Sequence, residues 1–239
     1  MTTVSFEQKV VLVTGIGRKG QTGEAIARAF AERGARIIAV DHVAAEGDAR
    51  AAELRAAGFD ARAFACDLSD EAQVAALAAK VREGYGPRLD VLINAAGGFA
   101  MSGPVAESDV AVWNHQFAIN LTTAYLTTRA FLPLLRAARG AIIYFASAAA
   151  LPGAKGAQMA AYAAAKSGVL ALMRAVAAEE GAHGVRANAV APTAIRTAAN
   201  LEAMGPDAKY VEREDVAATL VWLASDAAAA VTGQVLQLS

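Results

Sequence analysis

Five short apolar runs, distributed through most of the chain, constrain its fold more than any other feature. They are KVVLVTG (Lys9 to Gly15), RIIAVD (Arg36 to Asp41), VLINAA (Val91 to Ala96), AIIYFAS (Ala141 to Ser147) and VRANAVAP (Val185 to Pro192). Valine and isoleucine are stiff at χ1 and suit a pleated backbone, and a run that is apolar at consecutive positions reads as a strand covered on both faces. Between the runs lie alanine-rich stretches that read as helices: Glu24 to Gly34, Gly47 to Gly58, Asp70 to Gly84, the long stretch Ser108 to Arg139, and Gln158 to Gly181. Gly34, Gly58 and Gly84 stand where helices should stop, since glycine takes the left-handed terminal conformation without a side-chain clash. Parallel strands need a helical crossover, so the alternation predicts an α/β fold, a doubly wound parallel sheet with helices on both faces. Its ligand crevice is expected beyond the carboxyl ends of the strands, where the winding reverses. No linker, repeat or charge block divides the 239 residues, and one domain over 1–239 is expected.

Charge narrows the ligand class. With 22 basic and 23 acidic residues the net charge is -1, which gives no footprint for nucleic acid or an anionic membrane and leaves a small molecule as the expected partner. One cysteine, Cys66, excludes an internal disulfide, and the three histidines His42, His115 and His183 are too scattered for a metal site, so no metal is expected. The start MTTVSFEQK lacks an apolar leader core and no apolar run reaches membrane-spanning length. A cytoplasmic protein is expected.

The stretch VTGIGRKGQTGEAIARAF (Val13 to Phe30) joins the first strand to the first helix through Gly15, Gly17, Gly20 and Gly23. Glycines admit close backbone approach and free amides at a helix start favour an anion, so a pyrophosphate can sit here; a plain strand-to-helix turn is the other reading. Asp41, at the end of RIIAVD, stands where a carboxylate can accept from adenosine ribose hydroxyls and repel a 2′-phosphate, which favours NAD over NADP. Arg18 and Lys19 pull the other way, because cations in the loop can pair with a 2′-phosphate. In AYAAAKSG, Tyr162 and Lys166 are four apart and share one helix face. An ammonium beside a phenol favours the phenolate; bringing a tyrosine from about 10 to near neutrality takes roughly 4 kcal/mol. A surface pair is the alternative for these two residues taken alone.

Taken in order, Thr14 with Gly15, Asp41, Asp67 in CDL, Asn94 in NAAG, Asn120 in AIN, Ser147 in FAS, and Tyr162 with Lys166 resemble the short-chain dehydrogenase/reductase family over nearly the whole chain. The resemblance implies an oxidoreductase that passes a hydride between a nicotinamide cofactor and an alcohol or carbonyl. It implies that Tyr162 exchanges a proton with the substrate oxygen and that Ser147 hydrogen-bonds that oxygen. Lys166 would lower the Tyr162 pKa and hold the nicotinamide ribose, and Asn120 would anchor a water in a proton path. Asp67 and Leu68 would lie at the adenine, and Asn94, Ala95, Ala96 and Gly97 beside the ribose. Pro192, Thr193, Ile195 and Thr197 of PTAIRT would hold the carboxamide, with Thr193 where the family usually has glycine.

Three departures stand out. The loop from Thr14 to Gly23 is two residues longer than the family pattern, Ser147 precedes Tyr162 by 15 positions, a wider spacing than usual, and AANLEAMGPDAKY after Thr197 is a short substrate lid. The wider spacing suggests a longer loop, LPGAKGAQ, over the substrate, whereas the altered glycine loop and the short lid are the best arguments for the alternative function, a catalytically idle dinucleotide-binding sensor or partner subunit of the same fold. The substrate loops are expected near 98–104, 148–158 and 193–210. Phe99, Met101, Ala149, Leu151 and Met204 are candidates for the pocket wall or for the core. The helix from Gln158 to Glu180 is apolar around most of its circumference, through Ala163, Ala164, Ala165, Leu170, Ala171 and Met173, which is more than one sheet can cover. A homodimer or homotetramer is expected.

Overall fold

A computed structural model describes residues 4–239. Seven parallel strands run in the order β3-β2-β1-β4-β5-β6-β7. They are β1 Val10–Thr14, β2 Arg36–Asp41, β3 Ala61–Ala65, β4 Val91–Asn94, β5 Ala141–Phe145, β6 Arg186–Pro192 and β7 Val235–Leu238. The helices are α1 Thr22–Ala31, α2 Ala44–Ala56, α3 Glu71–Tyr85, α4 Val110–Phe117, α5 Thr123–Ala138, α6 Ala160–Glu180, α7 Ala198–Met204 and α8 Arg213–Ala224.

Along β1 the side chains alternate between two cores. Val10 and Leu12 pack with residues of α3, α5 and α6, whereas Val11 and Val13 pack with residues of α1, α2 and α8. That is why the strand is apolar at every position: both faces are covered. The winding reverses between β1 and β4, which pair directly, so the crevice opens where Gly15 and Ala95 leave the sheet.

The two strands that no apolar run announces, β3 and β7, are the sheet's edges. Apart from the buried Ala61, their residues are partly buried or exposed, and the runs ARAFA and VLQL carry polar members, so the periodicity signal is weak. Gly34 and Gly58 do follow helices in the left-handed region, but Gly84 does not end one: α3 runs on to Tyr85 and Gly86 takes the positive φ of 86°. The half-buried Tyr85 ring packs against the core beneath the Arg36 guanidinium, which keeps the last turn wound.

The long stretch from Ser108 is helical as expected, with one change of pitch. Residues Ala118–Thr122 form a π-helical turn between α4 and α5. Such turns insert one extra residue and recur at functional sites; this one holds Asn120.

Candidate active site

At the exit of β1 the buried Thr14 hydroxyl is a three-way junction. It donates to the Ile93 carbonyl at 3.1 Å and accepts from the amides of Ala95 and Ala96 at 3.0 Å each, fixing how the chain leaves β4. Gly15 (φ 64°) lies so close to that exit that a Cβ there would stand 2.7 Å from the Ala96 Cα. Gly23 is tighter still, since its Cβ would meet the Gly15 carbonyl oxygen at 2.4 Å and the Ile16 carbonyl oxygen at 2.6 Å. The first helix is thus laid directly on the turn. Gln21 provides no side-chain cap to α1, so first-turn amides point out of the loop with no acceptor from that side chain. A close-packed glycine cradle against an uncapped helix start fits the pyrophosphate of a dinucleotide.

The longer loop is tied down at both of its inner glycines. Gly17 donates to the Asp41 carboxylate at 2.8 Å, and that carboxylate, itself buried, also accepts from Val43 at 3.0 Å. Gly20 donates to Glu24 at 2.6 Å, and Arg213 reaches the same Glu24 oxygen at 3.2 Å. The Gly20 carbonyl accepts from the Ala198 amide at 3.1 Å, so the loop touches the first residue of α7 in the lid. Arg18 and Lys19 are exposed on its outer edge.

Along the adjoining strand ends, Leu68 is buried and Asp67 exposed, its carboxyl held below the usual range by the Ser69 hydroxyl and amide. Asn94 turns away from the crevice, donating to Thr128 at 3.1 Å inside the core. Beyond β6, Pro192 closes the strand, Thr193 donates to the Leu238 carbonyl at 2.9 Å, and Ile195 packs on the core. The buried Thr197 hydroxyl caps α7 by accepting from Asn200 at 3.2 Å.

The four residues of the expected proton-transfer group meet at the carboxyl ends of β4 and β5. Lys166, buried in α6, donates its Nζ to the Phe145 carbonyl at 2.8 Å and stands 5.9 Å from the centre of the Tyr162 ring. Ser147 faces Tyr162 from the end of β5, and its Oγ accepts from the Ala149 amide at 3.2 Å. Asn120 clamps the chain after β4: its Oδ1 accepts from the Gly98 amide at 3.2 Å and its Nδ2 donates to the Gly98 carbonyl at 3.0 Å and to the Gln116 carbonyl at 3.0 Å. Gly97, at φ 151°, sits in the middle. A Cβ there would come 2.5 Å from Asn120 Oδ1 and 3.3 Å from Lys166 Nζ. The nearest obstacle to a side chain at Gly97 is thus the polar group itself.

Comparison with known proteins decides the family. Residues 15–239 match the family model described as enoyl-(acyl carrier protein) reductase. The chain is 39% identical over 240 residues to D-threitol dehydrogenase of Mycolicibacterium smegmatis, covering 95% of this chain and 90% of that protein. A short chain dehydrogenase from Mycobacterium smegmatis superposes with a TM-score of 0.87 at 33% identity, over 99% of this chain and 94% of the other. A 7α-hydroxysteroid dehydrogenase solved with NADH and 7-oxo glycochenodeoxycholic acid superposes at 0.90 and 28% identity, over 98% and 94%.

The chain belongs to the short-chain dehydrogenase/reductase family.

It is an NAD(P)-dependent oxidoreductase. Burial raises the Tyr162 phenol above its ordinary value, and a hydrogen bond with the Ser147 hydroxyl lowers it in part. Lys166 gives its proton donor to Phe145, and burial pulls its own ammonium down to about 8.

That shift has a measurable consequence. The unfolded chain holds this proton up to the ordinary 10.5 and the folded chain only to about 8, so between those values the unfolded state binds more protons and stability rises with pH. Against Lys166→Met, whose slope lacks this contribution, the native protein is expected to gain roughly 3 kcal/mol of unfolding free energy across that window. Denaturant melts of both proteins at several pH values measure it; parallel curves would contradict the burial of this amine.

Several contributors were not legible beforehand. Glu24, four residues after Gly20 in the first turn of α1, and Gln116, four before Asn120, have helical spacings that could have pointed to them. The Phe145 carbonyl and the placement of Phe99 against Tyr162 follow from tertiary packing alone. Among the described residues no three His, Cys, Asp or Glu side chains converge to hold a metal ion, and no helix is long and apolar enough to cross a membrane. A cavity of about 370 Å³ between α3 and α5 involves none of these site residues.

Proposed function

We propose that the protein interconverts a small alcohol and its carbonyl counterpart with NAD as the preferred cofactor. The observation that carries this reading is the meeting of Tyr162, Ser147, Lys166 and Asn120 around Gly97 at one end of the sheet. Bound nicotinamide supplies or accepts the hydride. Tyr162 gives a proton to the substrate oxygen in reduction and takes it in oxidation. Ser147 donates to the same oxygen and stabilises charge developing there. Lys166, beside the phenol, holds the nicotinamide ribose and replenishes the proton, and Asn120 holds the chain and a water next to it.

Thr14, Gly15, Gly17, Arg18, Gly20 and Gly23 form the seat for the pyrophosphate. Asp41 would take the adenosine ribose, Asp67 and Leu68 would flank the adenine, the backbone at Asn94, Ala95, Ala96 and Gly97 would line the ribose side, and Pro192, Thr193, Ile195 and Thr197 would receive the carboxamide. Residues 98–104, 148–158 and 193–210 close over the substrate. Screening alcohols and ketones by nicotinamide absorbance tests the reading: turnover of any of them supports it, whereas NADH binding with no turnover favours the idle sensor. The idle alternative rests on the longer loop and short lid, yet no position of the proton-transfer group is substituted.

The NAD preference rests on the Asp41 carboxylate held at the loop's base by Gly17 and Val43. Asp41→Asn keeps an acceptor for one of those amides and removes the charge. It is expected to raise the NADP-to-NAD ratio of kcat/KM about tenfold or more, by removing repulsion of the 2′-phosphate. A native protein that prefers NADP would refute the assignment and shift weight to Arg18 and Lys19.

Assembly as a homodimer or homotetramer is supported by apolar surface that one protomer leaves uncovered: Val110, Trp113 and Tyr125 on α4 and α5, and Ala171 and Ala175 on α6. Light scattering at micromolar concentration is expected to give an even multiple of the 24.5 kDa chain; a monomer contradicts this. The cytoplasm is the location proposed.

A further inference from the structure

Phe99 occupies an unusual position. Its ring stands edge-on to the Tyr162 ring, with centroids 5.1 Å apart and planes at 89°, yet 57% of the residue is exposed. An exposed phenylalanine on a surface loop is ordinarily free to turn away. Here the main chain is pinned on both sides of it. Upstream, Asn120 holds both the amide and the carbonyl of Gly98. Downstream, the amides of Ser102 and Gly103 and the Ser102 hydroxyl converge on the carbonyl of Gln158, at 2.8, 3.1 and 3.3 Å.

Gln158 is itself strained. It is a non-glycine residue at φ 62°, two positions before the helix that carries Tyr162. A left-handed backbone of this kind persists only where its surroundings over-determine it. The arrangement fixes an apolar surface beside the phenol before any ligand is bound, and preorganisation of this sort removes an ordering penalty from binding. The segment GGFAMSGP carries no charge, and Met101 within it is half exposed.

We propose that Phe99 is the specificity-determining residue of this site and that the preferred substrate is a secondary alcohol, or its ketone, whose carbinol carbon is part of an apolar ring or bears a long apolar chain. This rests on the oxidoreductase reading above and narrows its substrate class. A ring or chain laid against Phe99 leaves water for an apolar surface already in place. A hydroxyl in the same position forfeits that apolar contact and meets no hydrogen-bond partner on the ring. Open-chain polyols are therefore disfavoured.

The test uses the NAD-loaded full-length protein, with cyclohexanol and butane-2,3-diol as probes. Saturation-transfer NMR reads binding without turnover, and steady-state kinetics read KM and kcat. The native protein is expected to bind and oxidise cyclohexanol in preference to the diol. Phe99→Ala is expected to raise the cyclohexanol KM about tenfold or more, the scale of discrimination by an apolar pocket, while kcat and the diol KM stay nearly constant. Phe99→Leu, which keeps an apolar wall, recovers most of the loss.

Because Phe99 is largely exposed, thermal melts of both variants should match the native protein and separate lost selectivity from lost fold. A native preference for the diol overturns the proposal. So does an equal fall in kcat for both alcohols in Phe99→Ala, since that would make the ring a support for Tyr162 with no part in selection. Cyclohexanol binding that depends on Phe99 but leads to no turnover with any alcohol preserves the selectivity and refutes the oxidoreductase reading. Turnover of other alcohols with no Phe99-dependent binding does the reverse.

Discussion

Replacing Tyr162 by phenylalanine is expected to lower kcat by about 10²–10⁴-fold, the range for loss of a positioned acid or base, while NAD(H) binding stays measurable. The ring is kept, so its edge contact with Phe99 and its place in α6 survive, and only the hydroxyl that faces Ser147 is lost. The direction of the phenol's shift sharpens the expectation. Burial holds it above its ordinary value, so at neutral pH the cofactor-free protein carries the neutral phenol, a proton donor ready for carbonyl reduction. In the oxidative direction the same group must first give up its proton, and the native rate of alcohol oxidation should climb as the pH is raised. Initial rates in both directions across pH, with Tyr162→Phe as the flat control, check this. Native-like turnover by the variant would remove Tyr162 from the chemistry.

The second large effect is expected at a residue with no functional side chain. In Gly23→Ala the new methyl meets two carbonyl oxygens and the Ile16 Cα, at 2.4, 2.6 and 2.7 Å, and none of these belongs to a side chain that can swing aside. Either the helix start or the glycine loop must move. Overpacking of this kind destabilises by about 1–3 kcal/mol, and a shifted loop should weaken cofactor affinity about tenfold or more. Denaturant melts and fluorescence titration with NADH measure the two effects. Unchanged affinity would mean that the loop's close packing on α1 has no part in holding the dinucleotide. The displacement should also be felt in the lid, because Gly20 of the same loop accepts from Ala198 at the start of α7.

How much of the molecule could be read from the chain follows from where each signal resides. The five apolar runs gave the interior strands because burial on both faces leaves its mark at every residue of KVVLVTG or AIIYFAS. The edge strands ARAFA and VLQL escaped the same reading, since an edge is only half covered and tolerates polar residues. The membership of the candidate site was legible through an ordered set of residue types, from Thr14 to Lys166. What those residues touch was not. Thr14 and Asn94 direct their polar atoms into the scaffold, Asn120 grips Gly98, and Asp41 holds the loop through Gly17 and Val43.

By itself the chain determined the alternation of elements, the winding of the sheet and the list of chemically capable residues, because periodicity and turn chemistry act over a few neighbouring positions. Only the folded molecule decided that the Lys166 ammonium goes to the Phe145 carbonyl, 21 residues away, and that Phe99 stands against Tyr162. Those pairings depend on how α6 lies across the ends of β4 and β5. Such a packing is settled by the shape of the whole core, and no short stretch of sequence encodes it.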